Sequence, residues 1–304
     1  MINRDGARQA VTGPFVPIWT PFNRDGSVDF ASLRNQIDFS IAAGSKTLLL
    51  TYGDSLMSIL TDDEIAEVTK VLVQHTARRA MVIAADRQWA TPKEVQFARY
   101  AREVGADVLL VLPPDWAGSC TIETMVEHYA AVAKEIPMMV VTAAFPSRGP
   151  RFGLEVLNRL IDRTDRMVGI KDDYCGLFAK KMALQVHDRV AIYSGGQKQL
   201  HYELAPYGCD GYMATFLAFK PEVTHRYWKA FTARDEAAAV NVIAKYDIPF
   251  YDFVSDLPGG FDAGIHGCFE LFGIGKRWRR APYYSLSDQE MERLAGFFKA
   301  LSLL

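Results

Sequence analysis

The stretch Met167-Val168-Gly169-Ile170-Lys171-Asp172-Asp173 decides how the chain is read. An apolar run stops abruptly at a lysine and two aspartates. A short apolar run bounded by charge fits a strand buried on both faces of a parallel sheet. Lysine is seldom buried without a task. On the last residue of a barrel strand its amine would sit inside the mouth. Lost hydration there disfavours the ammonium and leaves a nucleophilic amine near neutral pH, as Schiff-base chemistry with a carbonyl requires. The bland alternative is a strand-end lysine that reaches solvent and pairs with Asp172.

Working outward, similar runs recur at Val16–Thr20, Thr47–Thr51, Met81–Ala85, Val108–Leu112, Met138–Thr142, Val190–Ser194 and Gly211–Thr215. With Met167–Lys171 they form a series whose starts lie roughly 20 to 35 residues apart, the size of one strand-plus-helix unit. Amphipathic segments lie between them. Asp29–Ala43 carries Leu33, Ile37, Phe39 and Ile41 among polar neighbours. Thr61-Asp62-Asp63-Glu64 reads as a capping box, and Thr91-Pro92-Lys93-Glu94 as a second one with proline at the first helical position. Gly105 and Pro137 punctuate later segments. The expected fold is α/β, a (β/α)8 TIM barrel over residues 1–220. A helical region over 221–304 packs on it, with helices at Val223–Phe231, Glu236–Tyr246, Phe261–Phe272 and Asp288–Leu301. No GxGxxG follows the first strand, which argues against a dinucleotide-binding sheet.

Composition narrows the function. The 304 residues carry a net charge of −2 with no basic block, so nucleic acid is not an expected partner. No apolar stretch is long enough to span a bilayer, so no membrane role is expected. Residues Met1 to Gly13 lack an apolar leader, which suggests a cytoplasmic protein. The four cysteines, Cys120, Cys175, Cys209 and Cys268, are scattered and read as free thiols. The six histidines show no HExxH-like pairing, so no metal is expected.

In such barrels reacting groups sit at the carboxyl ends of the strands. Those ends read Thr20-Pro21-Phe22, Thr51-Tyr52-Gly53-Asp54, Asp86-Arg87, Pro113-Pro114-Asp115-Trp116, Pro146-Ser147-Arg148, Lys171-Asp172-Asp173, Ser194-Gly195-Gly196 and Thr215-Phe216. Of these, Thr20-Pro21-Phe22, Thr51-Tyr52-Gly53-Asp54, Pro146-Ser147-Arg148 and Ser194-Gly195, together with Gly169-Ile170-Lys171-Asp172 and Gly208-x-Asp210-Gly211, resemble the dihydrodipicolinate synthase / N-acetylneuraminate lyase family of class I aldolases, over most of residues 14–220. The resemblance implies that Lys171 forms an imine with pyruvate or another 2-oxo acid, with no separate cofactor. It implies that the strand-two turn, with Thr51, Gly53 and Asp54, receives the substrate carboxylate; backbone amides there could form an anion nest. Arg148 could clamp a second carboxylate, with Arg151 near enough to share the role. Thr215, Trp116 and Trp89 are further candidates for the pocket wall, the aromatics suggesting a bulky or apolar aldehyde partner. The family's assembly implies a homo-oligomer, a tetramer or a dimer.

The chain also departs from the family. Its tyrosine three residues before the Pro-x-Arg proline is Ala143 here, which cannot carry a proton. Pro-Tyr-Tyr after strand four is Pro114-Asp115-Trp116, and the second strand-two threonine is Tyr52. An authentic dihydrodipicolinate synthase is therefore not expected. Tyr52 could take over the proton relay, large for small across the mouth. Asp172 should face away from the Lys171 pocket, because successive strand residues alternate sides. Both Asp172 and Asp173 read as caps or as partners of bases rather than as chemical groups. Two functional readings follow: a Schiff-base lyase or aldolase, or a catalytically impaired barrel that binds a keto acid as sensor or scaffold.

Overall fold

The computed structural model describes residues 2–304, apart from the Pro150 side chain. Its eight strands are β1 (Gly13–Pro17), β2 (Thr47–Leu49), β3 (Met81–Ala85), β4 (Val108–Val111), β5 (Met138–Val141), β6 (Met167–Asp172), β7 (Ala191–Ser194) and β8 (Gly211–Met213). Each pairs in parallel with its neighbours, and β8 returns to β1, closing the barrel. Nearly every strand residue is buried, as a sheet covered on both faces requires.

The outer helices are α2 (Phe30–Ala42), α3 (Asp62–Thr76), α4 (Thr91–Val104), α5 (Ile122–Ala133), α6 (Pro150–Arg163), α7 (Leu177–Val186) and α8 (Lys198–Gly208). The Thr61–Glu64 capping box forms as expected, and Thr121 with Thr124 forms another. Beyond β8 lie α9 (Pro221–Thr232), α10 (Glu236–Val242), α11 (Ile248–Ser255), α12 (Gly260–Leu271) and α13 (Asp288–Ala300). Helix α9 stacks Tyr227 and Trp228 near Tyr212 of β8 and so fills the eighth outer position. The rest covers the barrel wall: Trp19 meets Phe269, and Phe219 meets Phe250, Phe272 and Phe298.

Several expectations change. Strand β1 begins at Gly13 rather than Val16, because its pairing starts where the Gly13 amide donates to Asp210 O. The apolar run misled because Ile18 and Trp19 are buried beyond the paired segment. A helix, α1 (Arg4–Val11), occupies the polar start of the chain. It lies across the floor of the barrel: the Arg4 guanidinium donates to the carbonyls of Ile161, Thr164 and Met167. Arg8 reaches Asp210 and the carbonyl of Val190. Helix α11 was not foreseen; a π-turn over Ile243–Asp247 leads into it.

Glu94 is not a cap. Helix α4 begins after Ala90 without a side-chain cap, and Glu94 is fully buried beside Asp86. Neither carboxyl has an ion-pair partner among the described residues. Burial pushes Asp86 up to about 7, and burial together with the Asp86 charge holds Glu94 well above its ordinary carboxylate range. A folded state that holds carboxyl protons the unfolded chain would release is most stable at low pH. Stability should therefore fall as pH rises from the ordinary carboxylate range through about 7. The slope approaches about 1.4 kcal/mol per pH unit per extra bound proton. In urea titrations between pH 5 and 8, Glu94→Gln, which supplies an amide donor to Asp86 in place of a proton, should flatten that decline. An unchanged slope would remove the pair from the explanation.

Candidate active site

Alternation along the strands places pairs of residues two apart at the carboxyl-end mouth. These pairs are Leu110 and Leu112 at the end of β4, Val141 and Ala143 at β5, Lys171 and Asp173 at β6, and Met213 and Thr215 at β8, the second of each lying just past its strand. All eight line one cavity of about 510 Å³. The β2 turn adds Thr51, Tyr52, Gly53 and Asp54, and α11 and α12 supply Tyr251 and Phe261.

Lys171 is 7% exposed and lies beside Val141 in the β5–β6 register. Its Nζ donates to both oxygens of Asp173, at 2.5 and 2.6 Å. Asp172 turns to the other side. Its carboxylate accepts from the Thr142 hydroxyl and from the amides of Tyr174 and Cys175, which fixes the end of β6. Asp173 was not foreseen as a wall of the site. The rule that turned Asp172 away from Lys171 also puts Asp173, two residues on, at its side.

Thr51 organises the β2 turn much as an N-cap organises a helix. Its carbonyl accepts from the Ser55 amide and its hydroxyl from the Asp54 amide. The Ser55 hydroxyl in turn accepts from the Thr51 amide and donates to Ile18 O. The amides of Tyr52 and Gly53 have no acceptor among the described residues, as in the unsatisfied first turn of a helix. Asp54 sits beside them, its carboxylate 3.4 Å from the Thr51 hydroxyl. Its side chain borders the cavity, yet the surrounding walls cost it most of its hydration. That burial, only partly offset by the Lys171 charge, pushes its carboxyl up to about 7.

Opposite, the Tyr251 hydroxyl lies 2.7 Å from the Thr215 hydroxyl and donates to Gly196 O. A Cβ on Gly196 would come 3.0 Å from Thr215 Oγ1 and 3.1 Å from the Tyr251 hydroxyl, which explains the glycine. Tyr251 carried no sequence signal, since it arrives from beyond the barrel.

Four candidates lie elsewhere. The Arg148 guanidinium is ion-paired to Asp115, donates to Cys120 O and lies over Phe152. It does not face the cavity, because a carboxylate on the neighbouring loop captures it. Trp116 is 86% exposed on the outside of its loop, and Trp89 is buried against Phe97. Neither lines the cavity, and Arg151 pairs with Glu155 at the surface. Tyr52 does line it, although its phenol makes no hydrogen bond to Lys171. Among the described residues no group of three or more His, Cys, Asp or Glu could hold a metal ion, and no helix is long and apolar enough to cross a membrane.

The sequence profile of the dihydrodipicolinate synthetase family matches residues 10–301. A 4-hydroxy-tetrahydrodipicolinate synthase of Lachnoclostridium phytofermentans is 25% identical, covering 96% of this chain and 99% of that one. A Streptomyces coelicolor protein named "Probable 5-dehydro-4-deoxyglucarate dehydratase 1" is 26% identical over 93% of this chain and 90% of its own. The crystal structure of YagE from E. coli K12, a member of the dihydrodipicolinic acid synthase family in complex with pyruvate, superposes with a TM-score of 0.81 at 22% identity, covering 96% and 99% of the two chains. The closed barrel, its buried strand-six lysine and a profile match over nearly the full length agree, and the chain belongs to the dihydrodipicolinate synthetase family of lyases.

Proposed function

We propose that the protein is a cofactor-free class I lyase in which Lys171 forms an imine with pyruvate or another 2-oxo acid. The observation that carries this reading is a buried primary amine sharing a cavity with the β2 turn, whose Tyr52 and Gly53 amides have no acceptor among the described residues. A 2-oxo acid has an electrophilic carbon next to a carboxylate, and the two features suit those groups respectively. The pyruvate in YagE supports the same choice of substrate.

The other reactant is neutral. Lys171 is the sole cation among the described residues lining the cavity, and it already faces Asp173, with Asp54 nearby. With Arg148 engaged by Asp115, a second carboxylate would enter unpaired. Leu110, Leu112, Val141 and Ala143 offer apolar wall to an aldehyde instead. Trp116, exposed on a lone chain, is suited to packing against a second copy in a homo-oligomer.

Borohydride added with pyruvate should reduce the imine, and peptide mapping should place the label on Lys171. An aldehyde panel then separates an active aldolase from a barrel that only binds a keto acid. Labelling of another residue would overturn the assignment.

Asp54 makes the site pH-dependent. Below about 7 its carboxyl is neutral and tolerates the substrate anion; above that it is charged and repels it. If the ionised form excludes substrate, KM for the 2-oxo acid should rise about fivefold from pH 7 to 8. In Asp54→Asn that rise should disappear; its persistence would assign the effect to another group.

A further inference from the structure

We infer that Asp173 is the proton carrier of the imine centre. The inference rests on the reading of Lys171 as the imine-forming residue, and it names the group that serves the amine.

An imine-forming site must move protons at nitrogen, at the departing oxygen and at the carbon next to the imine. The titratable groups lining the cavity are Tyr52, Asp54, Lys171, Asp173 and Tyr251. Tyr251 is committed to Gly196 and Thr215. Asp54 is hydrogen-bonded to Thr51. Among the described residues Asp173 alone hydrogen-bonds the reacting nitrogen, with both oxygens within 2.6 Å of Nζ. Its side chain is one-third exposed, so the carboxylate faces the cavity as well as the lysine.

The surroundings make room for it. Asp173 lies two residues beyond Lys171, as Ala143 lies two beyond Val141, and Val141 and Lys171 are register partners. The small Ala143 therefore leaves the neighbouring wall open. On the β7 side, a Cβ at Gly195 would approach Asp173 Oδ1 to 2.7 Å, so glycine is the residue that admits the carboxylate.

The steps balance. Asp173 takes one proton from the Lys171 ammonium, freeing the lone pair that bonds to the keto carbon. The carbonyl π electrons pass to oxygen, which receives that proton back from Asp173. A second proton follows the same route from nitrogen to the resulting hydroxyl. Water leaves, and the nitrogen lone pair closes the C=N bond. Ammonium plus ketone have become iminium plus water, with Asp173 again a carboxylate. It then removes a proton from the carbon next to the iminium. That C–H pair forms a C=C bond while the C=N π pair moves to nitrogen, giving the enamine. When the enamine carbon bonds to the aldehyde, the proton on Asp173 passes to the aldehyde oxygen.

The test uses the full chain with Asp173→Asn, Asp173→Glu and Tyr52→Phe, each checked for native circular dichroism. Borohydride trapping with pyruvate reads the amine, and exchange of the pyruvate methyl hydrogens in deuterium oxide reads the proton carrier. With the wild type trapped at Lys171, Asp173→Asn should retain slow trapping but lose exchange about 10³-fold. Asp173→Glu should recover part of it, and Tyr52→Phe should retain most of it. Exchange within a few-fold of wild type in Asp173→Asn would overturn the assignment. So would a loss confined to Tyr52→Phe. Failure of the wild type to trap would instead remove the imine reading itself.

Discussion

Lys171→Met should abolish borohydride labelling and lower turnover by about 10⁴-fold or more, the scale on which loss of a covalent nucleophile is felt. Lys171→Arg should do the same, because a guanidinium stays charged and cannot attack a ketone. Folding should be nearly unaffected. Methionine is similar in length, and the aspartate left behind at 173 is one-third exposed and can hydrate. Rescue by the other buried lysine is not expected. Lys198 is 1% exposed, with its ammonium held 2.7 Å from Asp247 Oδ1 and lying over Phe216. It does not line the cavity. Substantial turnover in Lys171→Met, measured under conditions where the wild type is trapped, would end the covalent mechanism.

The largest effect on stability should come from Gly211→Ala. A Cβ there would lie 2.0 Å from Val11 O and 2.3 Å from Gly13 O. Both are backbone atoms in the link from α1 to β1, where β8 closes the barrel. No rotamer change relieves such a contact, so the seam itself must open. A cost of about 4 kcal/mol or more is expected, among the largest for a single methyl group. Soluble yield and the urea midpoint should both fall. A midpoint within about 0.5 kcal/mol of wild type would show that the seam has slack. Gly208, three residues earlier, acts differently: it takes φ +117° and packs on the His187 ring.

The barrel was legible because burial on two faces leaves a strong mark: continuous apolar runs at a steady interval. The Lys171 site was legible for a related reason, since a charge ending such a run has few places to go. The edges were less so. Strand β1 was displaced because Ile18 and Trp19 are apolar for reasons of packing, beyond their pairing. Arg148 was misplaced because its captor, Asp115, lies 33 residues away on another loop, and sequence spacing says nothing of which cation a carboxylate will take. Glu94 followed a cap pattern, yet burial beside Asp86 overrode it. Asp173 was legible as the partner of a base, and it pairs with Lys171; its place on the cavity wall follows from counting two residues on from that lysine.

The strand that carries the reactive amine is gripped from below. Arg4 holds the carbonyl of Met167, the first residue of β6, with those of Ile161 and Thr164 just before it. A single guanidinium near the chain start thus anchors the near end of the rod whose far end performs chemistry. Loss of that guanidinium would free three carbonyls at the base of the same six-residue strand that carries Lys171.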